Sequence, residues 1–119
     1  MIKMEKRERF AVLILRVGLA FVFAYAAFGQ LTNADVWIGF FPEFLRGFLS
    51  EGILLYSHAF GEIVLALWLL SGWKTVYPAV LSAIALAGIV VFNISAMDIV
   101  FRDIGLFLMA VALAVLSKE

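Results

Sequence analysis

Apolar residues along the chain fall into four long runs separated by short polar breaks, over residues 10–31, 52–73, 76–96 and 99–117. A helix of about 20 apolar residues crosses a bilayer, so the first three runs are long enough by length alone. The uncharged part of the fourth, Ile104 to Leu116, is only 13 residues. Its helix is therefore expected to begin near Asp98 and to carry Arg102 and Asp103 in its first turns. Trp73-Lys74-Thr75 leaves a tight connection between runs two and three, and Pro78 falls in a first turn, where a missing N–H costs nothing. The pattern predicts an all-α membrane four-helix bundle, one domain over 1–119. Short loops favour antiparallel neighbours.

Residues 32–51 break the pattern. Four phenylalanines (Phe40, Phe41, Phe44, Phe48) and Trp37 lie among Asp35, Glu43, Arg46 and Pro42. The segment is too interrupted to span and too aromatic to sit free in water. It is expected to form a short interfacial helical segment between the first and second helices, as an aromatic anchor or as a lid over a site on that face.

Composition agrees with the bilayer as solvent. Of the 119 residues, 66% are apolar, against roughly 45–50% in soluble domains. A chain this short has no interior large enough to hide that surface. Charge is uneven although the net is zero. Lys3, Lys6, Arg7, Arg9, Lys74 and Lys118 fall on one side of a four-span topology, and Arg46 and Arg102 on the other. The positive-inside rule then places both termini in the cytoplasm. A signal peptide is the competing reading of the N-terminus, with Ala24-Tyr25-Ala26 as its cleavage site, but Arg16 interrupts the apolar core such a peptide needs. No basic face suited to nucleic acid exists beyond the short N-terminal tail.

Several chemistries are excluded by residue type. With no cysteine there is no thiol–disulfide exchange and no iron–sulfur ligation. A single histidine excludes a haem held by two histidines of this chain, and leaves a poor ligand set for zinc.

What remains is a set of polar side chains inside the apolar runs. His58 and Glu62 lie four residues apart and share one helix face. A charge near the middle of a membrane helix costs about 2.5–3.5 kcal/mol on insertion scales, so it faces other helices or water and marks a working position. Counting about 1.5 Å per residue, Glu62 lies near the midplane. His58, Tyr25, Gln30 and Asn93 lie in the outer half, Arg102 and Asp103 enter from the outer edge, and Arg16 lies in the inner half. Two readings stay open. In one, Glu62 pairs with Arg16 or Arg102, and His58 and Asn93 satisfy leftover hydrogen bonds in a purely structural network. In the other, these groups line a pocket open to the outer side, for a lipid headgroup, a quinone or a proton relayed between Glu62 and His58.

Three stretches resemble the DoxX-like family of small four-span membrane proteins. They are Leu15-Arg16-Val17-Gly18-Leu19-Ala20-Phe21, then Gly61-Glu62 followed by Val64 to Gly72, and Phe101-Arg102-Asp103-Ile104-Gly105-Leu106. Their order and spacing cover nearly the whole chain. Arg16, Glu62, Arg102 and Asp103 match family positions. The family often has a lysine near the end of the first helix, where this chain has Gln30. The resemblance implies fold, a prokaryotic plasma-membrane location and a loose link to thiosulfate:quinone oxidoreduction. The leading expectation is a component of a quinone-linked or other electron-transfer system that binds a small ligand. This chain has no redox centre of its own, so a quinone, a lipid or a redox partner subunit would complete it, and whether it is an enzyme stays open. The alternatives are a small transporter or proton relay acting as a homo-oligomer, and a structural subunit.

Overall fold

The computed structural model describes residues 5–117, and every regular element among them is helical. Lys3 and Lys118, used in the charge count above, lie outside the described residues. Six α-helices follow in order: α1 (Lys6–Thr32), α2 (Ala34–Trp37), α3 (Glu43–Phe48), α4 (Glu51–Ser71), α5 (Val76–Phe92) and α6 (Met97–Ser117). Single 3-10 turns at Ile38–Phe40 and Ile94–Ala96 join them. Three helices are long and apolar enough to cross a membrane, those of α1, α4 and α6. The α5 helix is as apolar but has only 17 residues. The run expected to 96 stops as a helix at Phe92, because Asn93 leaves helical geometry at φ −128° and the chain tightens into the 3-10 turn.

The four long helices form two intimate antiparallel pairs, α1 with α4 and α5 with α6, which meet mainly through α1 and α6. One end of this arrangement is tightly packed. Leu19, Leu69, Ala79 and Leu113 are completely buried there, and Leu65, Ala66 and Ala110 join them. Buried alanines such as Ala20, Ala66, Ala79 and Ala110 leave room for helices to approach, the main route to helix association in lipid. Ser82 is also fully buried, and its hydroxyl donates to the Pro78 carbonyl at 2.7 Å. No buried polar cost is left there.

Arg16 secures the same end. Its Nε donates to the Leu69 carbonyl and its Nη2 to the Leu70 carbonyl, both at 2.7 Å. The last carbonyls of α4 have no partner within the helix and carry the negative end of its dipole. A guanidinium from α1 satisfies both needs. The expected pairing of Arg16 with Glu62 is therefore wrong, since Arg16 is held about two turns away by backbone oxygens. Gly72 makes this cap possible. Its φ is +75°, and a Cβ there would lie 2.8 Å from Arg16 Nη2. The turn over 72–75 is braced further by Trp68, whose Nε1 donates to the Trp73 carbonyl at 2.7 Å, and by Lys74 Nζ, 5.0 Å from the Trp73 ring centre.

At the opposite end the two pairs diverge, and the segment between α1 and α4 folds over the gap. Trp37 lies flat against Gly29, where a Cβ would sit 2.5 Å from its Nε1. Phe41 meets the His58 ring edge-on at 5.2 Å, and Phe44 reaches Phe92 on α5 at 6.3 Å. Of the two readings of this segment, the geometry is that of a cover over this end of the helices.

Two glycine substitutions should act with opposite signs. Gly72→Ala puts a side chain into a left-handed position, which costs roughly 1–2 kcal/mol before the collision with Arg16. Gly61→Ala, in the middle of α4 with nothing within 4 Å of its Cβ, should gain up to about 1 kcal/mol of helix propensity. Thermal unfolding in detergent should show a lower midpoint for the first and an equal or higher one for the second. A third change, Gly29→Ala, should dislodge Trp37. With Trp68 and Trp73 replaced by Phe, the Trp37 emission should shift to the red; an unchanged spectrum would refute the close packing.

Candidate functional site

Glu62 sits where the two helix pairs part. It is buried, with 6% of its surface exposed. Its Oε1 accepts a hydrogen bond from Gln30 Nε2 at 2.7 Å and lies 3.2 Å from His58 Nδ1. His58 Nδ1 is also 3.2 Å from Gln30 Oε1. The three side chains thus close a ring of contacts between α1 and α4. Helical spacing sets one side of it, since His58 precedes Glu62 by one turn. The other side depends on Gln30, in the last turn of α1 and also buried. Where the family often has a lysine, the amide provides a neutral donor to the same carboxylate.

Sequence reasoning expected an arginine opposite Glu62. Among the described residues its ionisable neighbour is His58, and neither Arg16 nor Arg102 lies within ion-pair distance. The cluster is not sealed. Glu62, His58 and Gln30 form part of the wall of a cavity of about 1090 Å³, and Tyr25, Arg102 and Asp103 line it too. The structure therefore brings together six of the eight polar residues singled out by helix periodicity and depth. Arg16 is at the packed end, as described. Asn93 is not on the wall; its Nδ2 donates to the Ile89 carbonyl at 2.9 Å and helps close α5.

The rest of the wall is apolar, with a set of aromatic rings in it: Phe21 and Phe23 from α1, Trp37, Phe41 and Phe44 from the cover, and Phe92 from α5. Phe21 and Tyr25 on α1, and Arg102 and Gly105 on α6, are exposed while lining it. The cavity is therefore open, and on the side of α1 and α6 its lining residues reach the surface. A volume at the upper end of the roughly 300–1,000 Å³ common for small-molecule sites, apolar walls and a few convergent polar groups suit an amphipathic ring compound. Trp37, Phe41 and Phe44 were not individually foreseen as site residues. The only sequence signal for them was the density of aromatic residues between the first two long helices. Gly29 carried no signal at all.

Removing the donor on α1 should be costly. Gln30→Leu leaves a buried carboxylate with one fewer hydrogen bond, and such bonds to charged groups contribute about 1.5–3 kcal/mol. Gln30→Lys keeps a donor and adds a countercharge. Denaturation in mixed micelles should rank Gln30→Leu well below the parent and Gln30→Lys close to it; equal loss in both would mean that the Gln30 contact contributes packing only.

Comparison with known proteins agrees with this architecture. The family model described as DoxX matches residues 11–95, which contain Arg16, Gln30, His58 and Glu62. The match ends before Arg102 and Asp103, so their assignment rests on the local resemblance alone. No curated protein and no solved structure shows significant similarity to the chain. A match over more than half of the chain, together with three helices long and apolar enough to span a bilayer, identifies this protein as an integral membrane member of the DoxX family.

Proposed function

We propose that this protein is a membrane-embedded binding component of a quinone-linked electron-transfer system. In this reading α1, α4, α5 and α6 cross the bilayer as a single four-span domain. Both termini are cytoplasmic, and the covered cavity lies in the outer half. The observation that carries the proposal is the Gln30–Glu62–His58 cluster on the wall of a large open cavity set with aromatic rings. A lipid-soluble ring compound enters from the bilayer on the side of α1 and α6, stacks on the aromatic rings and places its polar edge on the cluster. The chain has no cysteine and one histidine, so electrons pass through the bound compound to a partner subunit rather than through a centre in this chain. A second copy of the chain or a redox subunit completes the assembly.

Two features weigh against the other readings. A purely structural cluster would be paired and dry, whereas this one borders a cavity. A transport path would continue past Glu62, but below it Leu19, Leu69, Ala79, Leu86 and Leu113 are completely buried, or nearly so.

The test uses the protein in phosphatidylcholine nanodiscs with Trp37 as the only tryptophan. Titration with decyl-substituted benzoquinone, in its oxidised and reduced forms, should quench Trp37 fluorescence saturably for at least one form. Gly88 lines the cavity and has open space around its Cβ, so Gly88→Leu should fill the site and weaken binding at least tenfold. Gly61→Leu, away from the cavity, should leave it unchanged. Absence of saturable quenching, or indifference to Gly88→Leu, would overturn the proposal.

A further inference from the structure

The hydrogen-bond polarity of the cluster can be worked out from its partners. With Glu62 ionised its carboxylate only accepts, so the Gln30 group 2.7 Å from Glu62 Oε1 is the amide nitrogen. The flipped amide would press two acceptor oxygens together. This orientation turns Gln30 Oε1 toward His58 Nδ1. Nδ1 then faces two acceptors, Gln30 Oε1 and Glu62 Oε1, each at 3.2 Å. It must carry the proton and share it between them. In the neutral imidazole the other nitrogen, Nε2, is consequently a lone pair. Both protein contacts of Glu62 also fall on one oxygen; among the described residues, Oε2 accepts no hydrogen bond.

The cluster thus spends its donors on internal contacts and leaves two acceptors without a partner among the described residues, His58 Nε2 and Glu62 Oε2, on side chains that line the cavity. We infer that the cavity selects for a ligand that donates hydrogen bonds at this edge: of the quinone class, the hydroquinone rather than the quinone. This rests on the quinone-class reading above and adds the redox form that the site prefers. A hydroquinone hydroxyl donates to a carboxylate or an imidazole lone pair. A quinone carbonyl would face the same atoms as acceptor against acceptor, and leave buried acceptors unpaired. Sites built to hydrogen-bond a hydroxyl discriminate strongly against partners that lack it. A lipophilic cation would also satisfy two acceptors, but Arg102 lines the same cavity and opposes one.

The preference can be read without any variant. Decyl-benzoquinol should bind the nanodisc protein at least tenfold tighter than decyl-benzoquinone. Tighter binding of the reduced form raises the potential of the bound couple, and a tenfold ratio for two electrons corresponds to about +30 mV. Redox titration of the quinone in the presence of excess protein measures that shift independently. Glu62→Gln, which turns the outward edge partly into a donor, should bring the two affinities within threefold while Gly88→Leu weakens both together. Equal affinities, tighter binding of the quinone, a potential that falls, or tetraphenylphosphonium displacing the quinol at lower concentration than the quinol itself binds would each overturn the inference while leaving a cavity that binds ligand. Binding of neither form would overturn the cavity reading and this inference with it.

Discussion

A carboxylate placed among apolar helices dictates much of what surrounds it. Glu62 has no bulk water to solvate it, so donors have to come from neighbouring side chains, and those donors need fixed positions. Gln30 provides one from α1 and His58 another from one turn earlier on α4. Together they fasten α1 to α4 at the open end of the molecule. At this depth the other pair, α5 with α6, stands away, and the cavity is the space between them. The cover over residues 34–48 then has two tasks. It shields the aromatic wall, and through Phe41 it holds the His58 ring edge-on.

The opposite end of the molecule is held by a different device. Arg16 binds backbone rather than side chains, joining α1 to the last turn of α4. The α1–α4 pair is therefore clamped twice, by a charge on carbonyl oxygens at the packed end and by a hydrogen-bonded ring at the open end. Between the clamps lie Leu19, Phe23, Leu65 and Leu69, all buried. No comparable polar link joins the two pairs to each other among the described residues, and their association rests on apolar packing.

Much of this was legible in the sequence, and the reasons are specific. The helices announced themselves through unbroken apolar runs, and residue depth followed from a constant rise per residue. Counting placed Tyr25, Gln30, His58, Glu62, Arg102 and Asp103 from the midplane outward, where they line one cavity, and put Asn93 there as well, which does not line it. Partners were harder to read. Attraction between opposite charges suggested arginine for Glu62, but a neutral amide one helix away was already in reach. Arg16 found its partners in carbonyl groups, which every residue has and which leave no trace in side-chain identity. The helical length of the third run was overestimated because hydropathy does not register the end that Asn93 imposes. The folding of the cover onto His58 depends on where Phe41 and Trp37 land, and Gly29 reveals its part only once the indole is seen against it.

The open side of the cavity at α1 and α6 has a consequence for how occupancy is governed. In the proposed reading a guest enters sideways without passing through bulk water, so it is drawn from a two-dimensional reservoir. Its effective concentration is its mole fraction in the surrounding leaflet. Saturation then follows the ratio of guest to lipid rather than the amount dissolved in the aqueous phase. Dilution of the membrane with additional lipid should empty the cavity as effectively as removal of the guest itself.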